Sequence, residues 1–214
     1  MKKIHALLKY IFVLSLTLFA ITLSVKITVN FRQLYYFDIK YLGIEKFVNM
    51  SASEIKKNYN YLISFLYSPP NTQFKLPSFK ASHEGVIHFY EVRKIFSLVD
   101  KIFYISLLLN SVAVYLCYKY KNFSIFKYSS WLLVSLPIFL LTVFSINFNK
   151  VFNTFHAIFF NNDYWIFDID KDPVIRILPE EFFMHCAILI AVLILIFSVI
   201  YMIFYKNKHN AIKP

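Results

Sequence analysis

The sequence predicts an all-α integral membrane protein: four transmembrane helices, with extracytoplasmic helical segments lying at the outer interface. Two observations carry that prediction. Four stretches contain no Asp, Glu, Lys or Arg; they lie between Lys9 and Lys26, Lys101 and Lys119, Lys127 and Lys150, and Glu181 and Lys206. A hydrocarbon core takes ~20 apolar residues as helix, with about 17 as the lower limit, so each stretch is nearly or fully long enough to cross. The charges between them are also sorted by sign. Residues 1–9, 119–127 and 206–214 carry lysines and no acid, whereas every Asp and Glu lies in or beside the two long segments 26–101 and 147–181. Short basic flanks stay in the cytoplasm, which places both termini inside and both long segments outside.

Taken in order, the spans are Tyr10–Val25, Ile102–Tyr118, Tyr128–Phe148 and Phe182–Tyr205, within one membrane domain, 1–214. The first two are short, so Lys9, Lys26, Lys101 and Lys119 must snorkel their ammonium groups into the headgroups. Met-Lys-Lys before an apolar run also suits a signal peptide. Ala20 to Thr28 offers no clear pair of small residues for a signal peptidase, which favours a retained anchor.

The segment 26–101 reads as two helical pieces separated by a breaker. Ser53 can cap a helix from Glu54 to about Tyr67, with Ile55, Tyr59, Leu62, Ile63 and Leu66 as its apolar stripe. Ser68-Pro69-Pro70-Asn71 stops it, and Thr72 to Phe79 forms an extended connector. A second helix begins near Ser82 and runs toward the second span. In it Glu84, His88, Glu91 and Ile95 follow helical spacing and share one face. The segment 147–181 holds an amphipathic helix marked by Val151, Phe152, Phe155, Ile158 and Phe159, with His156 at the edge of its apolar face. Asn161-Asn162-Asp163 ends it, Tyr164 and Trp165 suit headgroup depth, and Asp168, Asp170, Asp172 and Pro173 form an acidic turn. Pro179-Glu180-Glu181 opens the last span, with acids in its first turn.

The formal charge of +11 comes with cytoplasmic lysine flanks facing anionic lipid, and gives no support to nucleic-acid binding. Cys117 and Cys186 fall at opposite ends of their spans, about a bilayer apart, and cannot pair. No phosphate loop, paired-cysteine metal motif, zinc helix or internal repeat is present. What remains is a pair of histidine-bearing segments leaving the membrane on the same side. With a rise of about 1.5 Å per residue, His88 stands roughly 10 Å above Ile95, at headgroup depth. Two imidazoles at ester depth suggest lipid chemistry.

The stretch Ser82-His83-Glu84-Gly85-Val86-Ile87-His88-Phe89-Tyr90-Glu91-Val92 resembles the Ser-x-Glu-x-x-x-His-Met-x-Asp-Val signature of the bacterial lipoprotein intramolecular transacylases, a four-span family. Phe155-His156-Ala157-Ile158-Phe159-Phe160, then Asp163, Trp165-Ile166-Phe167-Asp168 and Leu178-Pro179-Glu180 with Phe182-Phe183, is similar to that family's second signature. The resemblance runs from about residue 1 to 205. Phe89 departs from the family's Met, Glu91 from its Asp, and Ile169 from its Pro.

The resemblance implies a substrate lipoprotein whose N-terminal Cys carries a diacylglyceryl thioether and a free α-amino group. The sn-2 acyl chain moves to that amine in the outer leaflet, giving a lyso-form N-acyl lipoprotein. No cofactor or metal is needed, and the partners are the lipoprotein and membrane lipid. An α-amino group titrates near ~7.7–8.0 and imidazole near ~6.5, so a neutral His can take a proton from the attacking amine at little cost. His88 is assigned as general base, with Glu84 and Glu91 fixing its tautomer, and His156 as acid or oxyanion donor. Asp163 and Arg93 are expected to support the site or contact headgroups, and Trp165 to anchor at membrane depth. His185, one turn inside the last span, is a candidate on its position alone. His5, His83 and His209 are read as bystanders. The competing readings are a non-catalytic scaffold or accessory subunit, and a metal-dependent membrane hydrolase.

Overall fold

The computed structural model describes residues 2–211, with side chains described for 7–138 and 147–211. Every element among the described residues is helical: α1 (Lys2–Asn30), α2 (Arg32–Tyr41), α3 (Ile44–Val48), α4 (Ala52–Leu66), α5 (His83–Tyr120), α6 (Ser124–Ile146), α7 (Phe148–Phe159), a 3₁₀ turn (Pro173–Ile177) and α8 (Glu180–Asn210). Three of these, α1, α5 and α8, are long and apolar enough to cross a membrane. The expected third span, Tyr128–Phe148, overlaps α6 as far as Ile146, and Phe148 opens α7; the side chains of 139–146 lie outside the described residues. The chain divides into two compact units. One comprises Met1–Lys26, Val99–Val143 and Leu189–Pro214, and the other Ile27–Leu98 and Phe144–Ile188.

The first unit is built from the apolar parts of the long helices and packs on small residues. Ala20 and Ala113 are buried, and hydroxyls tie helix to helix. Ser15 Oγ donates to the Ser106 carbonyl at 3.2 Å, Ser129 Oγ to that of Val13 at 3.1 Å, and Tyr201 Oη to that of Leu16 at 3.2 Å. Small residues and interhelical hydrogen bonds replace the hydrophobic effect where the surroundings are themselves apolar. Lys26 pairs with Asp100.

The second unit has the packing of a water-soluble core. Tyr35 and Tyr59 stack at 3.8 Å, Phe182 meets both edge-on, and the Tyr35 hydroxyl donates to the Ile177 carbonyl at 2.6 Å. Burial of such rings contributes ~1.5–3 kcal/mol each.

Residues 26–101 hold more helix than the sequence suggests. Two short helices, α2 and α3, precede α4, joined by Gly43 in the left-handed region at φ 65°. The inward face of α2 is Tyr35, Asp38 and Ile39, and the carboxylate among them breaks the apolar stripe that would have marked it. The cap of α4 is Ser51, not Ser53: its side chain accepts from the Glu54 N–H at 3.3 Å, in the Ser-x-x-Glu spacing of a capping box. The connector after α4 is fixed by side chains. Arg93 donates to the carbonyls of Pro69 and Pro70 at 2.9 and 2.7 Å, and the Tyr90 hydroxyl lies 3.2 Å from both Thr72 O and Phe74 N.

Candidate active site

His88 lies in the second turn of α5, and the start of that helix is unusually constrained. Ser82 caps it, its hydroxyl accepting from Gly85 N at 2.9 Å and donating to Asp172 Oδ2 at 2.6 Å. Asp172 Oδ1 also accepts from Ser82 N at 2.7 Å. The carboxylate, 4% exposed, thus sits on the positive end of α5 and fills the notch left by Gly85. One buried acid registers the acidic loop against the helix that carries His88.

His156 lies on α7, whose first turn is capped by Asn147 accepting from Lys150 N at 2.9 Å. Its Nδ1 is 2.7 Å from the Phe152 carbonyl. A carbonyl only accepts, so this bond assigns the proton to Nδ1 and leaves the lone pair of the neutral ring on Nε2. Trp165 stacks on the ring at 4.6 Å and Phe152 packs at 4.2 Å. The imidazole is therefore oriented by one backbone bond and two aromatic faces.

The two rings meet at 6.1 Å between centroids, inclined by 33°. His88 is 5% exposed and enclosed by Phe160 at 4.7 Å and Phe167 at 5.4 Å. Burial, reinforced by His156 opposite, pushes the His88 pKa down to about 4. Burial lowers that of His156 as well, against the Phe152 bond, which raises it. Both imidazoles are accordingly neutral near pH 7. Three buried polar atoms around them lack a hydrogen-bond partner among the described residues: His88 Nδ1, Glu91 Oε2 and Trp165 Nε1. No group of three His, Cys, Asp or Glu side chains among the described residues is placed to hold a metal ion.

The other expected site residues are placed as follows. Glu84 is exposed, with no hydrogen bond to His88. Glu91 turns instead to the loop after α7, where its Oε1 accepts from Asn162 Nδ2 at 2.9 Å. Neither carboxylate fixes the His88 tautomer. Arg93 is occupied by the Ser68-Pro69-Pro70 turn and by the faces of Phe65 and Tyr90, so it braces a loop and is not free for a headgroup. Asp163 is exposed. Trp165 is half-buried and stacks on His156. His185 is drawn elsewhere: its Nδ1 lies 2.9 and 3.0 Å from the two oxygens of Asp38, a carboxylate with no exposed surface.

Sequence reasoning missed Asp172, Gly85, Asn162, Phe160 and Phe167. Gly85, one of two glycines in the chain and placed inside the first motif, carried a usable signal, as did Phe160 and Phe167 inside the second.

Fold and site together define a membrane-integral, all-helical protein with a pair of neutral imidazoles, one buried and one half-buried. The family model described as lipoprotein intramolecular transacylase matches residues 10–183, and the chain belongs to that family. It is a multi-pass membrane acyltransferase. A solved structure of the membrane-integral lipoprotein intramolecular transacylase from Bacillus cereus is similar to it, with a TM-score of 0.94 at 34% identity, covering 99% of this chain and 98% of that one. Two structures of the same Bacillus cereus protein with one histidine replaced, by Arg and by Ala, are similar at TM-scores of 0.88, also 34% identical. They cover 98% of this chain, and 94% and 96% of theirs. No curated protein matches the sequence.

Proposed function

We propose that this chain moves the sn-2 acyl chain of a diacylglyceryl lipoprotein from its glycerol ester to the α-amino group of the N-terminal Cys, in the outer leaflet. The observation that carries the reading is the juxtaposition of two neutral imidazoles, one with its free nitrogen defined. Four helices span the membrane as one domain over 1–214, both termini are cytoplasmic, and segments 26–101 and 147–181 lie outside. The amphipathic α7, with no buried residue, lies along the interface with Phe155, Ile158 and Phe159 toward lipid.

The hydrogen bonds favour an order of roles opposite to that drawn from the motif. His156 Nε2 holds a lone pair and acts as general base. In His88 the buried, unpartnered Nδ1 is better left as the lone-pair nitrogen, because an orphaned N–H is the rarer burial. His88 then carries its proton on Nε2 and acts as donor.

In the first step the amine nitrogen bonds to the acyl carbon and gives a proton to His156 Nε2, while His88 Nε2–H stabilises the oxyanion. In the second, the bond from carbon to glycerol oxygen breaks and that oxygen takes a proton from the imidazole pair, leaving an amide and a free hydroxyl. Amine and ester belong to one molecule, so holding them together replaces a bimolecular encounter, and the aromatic walls keep out the water that would hydrolyse the ester. Mass spectrometry of a lipoprotein's N-terminal peptide, from cells with and without this chain, tests the reading. The N-acyl, lyso-form peptide is expected only where the chain is present.

A further inference from the structure

We propose that Glu91 is the docking carboxylate for the substrate's α-ammonium group and makes the enzyme selective for lipoproteins that are not yet N-acylated; this rests on the function proposed above. Glu91 shares a face of α5 with His88, one turn away. One oxygen is held by Asn162 Nδ2 at 2.9 Å, and the other, Oε2, is buried without a partner. A carboxylate half satisfied in this way is costly to bury, and a cation is what relieves it.

No cation among the described residues does so. Among the described residues the ion pairs join Lys26 to Asp100, Lys171 to Asp168 and His185 to Asp38. Arg93, the nearest Arg in sequence, is engaged by three oxygens of the Ser68–Pro70 turn. A chain with 23 Lys and Arg against 12 Asp and Glu nevertheless leaves this acid unpaired beside its imidazole pair. The missing partner is compact, cationic and brought by the substrate. An α-ammonium fits: it donates one N–H to Glu91 Oε2, which takes that proton before attack, and a second N–H points to the lone pair of His156 Nε2, which takes its proton as the new C–N bond forms. An N-acylated terminus has neither the charge nor the second donor.

Binding of a non-transferable lipopeptide tests this. Its N-terminal Cys carries a thioether-linked dialkylglyceryl ether, which has no ester to move, and it is made with a free or an acetylated α-amine. The parent protein should bind the free-amine form roughly 10- to 100-fold more tightly at pH 7, the range of one charged hydrogen bond. That preference should fade as pH rises past the amine's ~7.7–8.0. Glu91→Gln retains an oxygen for Asn162, so a purely structural role would leave the preference intact. We expect it to shrink below about 3-fold, with the acetylated form bound as before, and Glu91→Asp to restore part of it. Retention of the parent preference in Glu91→Gln, or loss of binding to both forms, overturns the proposal. The transacylase reading is judged separately with the diester substrate: N-acyl product from the parent upholds it whatever the binding arms give, and absence of product sinks it.

Discussion

Asp172 closes on Gly85 so tightly that a Cβ added to the glycine would lie 2.3 Å from the carboxylate Oδ1. Gly85 has no need of a left-handed backbone; its value lies in the space it leaves. Through that contact and the two bonds to Ser82, the loop carrying Trp165 is registered against the helix carrying His88. Gly85→Ala should therefore destabilise the protein by ~1–3 kcal/mol, as overpacking does. It should also cut turnover by on the order of 10²-fold at temperatures where the variant stays folded, the scale of a 1 Å misplacement. Thermal unfolding and single-turnover rates measured on one preparation separate the two effects.

Buried Asp38 and half-buried His185 form a second pair, which tests whether every membrane-proximal histidine serves the reaction. His185→Ala leaves a fully buried carboxylate unpaired and should lower stability by about 3–5 kcal/mol. Acyl transfer measured well below the unfolding temperature should stay near the parent rate. Loss of transfer in folded His185→Ala would bring that pair into the mechanism.

The depressed pKa of His88 gives the stability a pH dependence of definite sign. Between the unfolded value of ~6.5 and the folded value of about 4, the unfolded chain binds a proton that the folded one refuses. Stability is thus fully present above ~6.5 and falls as pH drops through this window, by on the order of 3 kcal/mol. His88→Leu should show a shallower decline. Unfolding temperatures of both proteins from pH 7 to 4.5 check this, and parallel curves would count against a buried neutral imidazole.

Topology can be read in intact cells. Lys57 and Asp170 are exposed, one in each of the segments assigned to the outer side. Lys57→Cys and Asp170→Cys should react with an impermeant thiol reagent without lysis. Labelling confined to lysed cells would reverse the orientation and remove the site from the outer leaflet.

Long apolar runs such as Phe182–Tyr205 are legible in sequence because length and charge-free composition alone set the membrane register. The short α2 is not, since Asp38 occupies its inward face and meets its partner His185 from 147 residues away. The same applies within the site. His88 and His156 could be nominated from their motifs, but Asn162 and Asp172 act through partners across the fold that no local pattern announces. Arg93 and Trp165 exchange the parts suggested by their chemistry: the cation braces a proline turn, and the indole expected at the headgroups stacks on His156.

If His88 and His156 work as a unit, their single and double alanine variants will show it. Each would be expressed with a diacylglyceryl lipoprotein, and N-acylation of the terminal peptide followed by mass spectrometry. His88→Ala and His156→Ala should each lose ~10²–10⁴-fold in rate, and the double variant should be little slower than either, because cooperating groups are not additive. His83→Ala, on an exposed position at the start of α5, should remain active. If both single variants accumulate and insert normally yet form N-acyl peptide at the parent rate, the paired-imidazole mechanism is wrong.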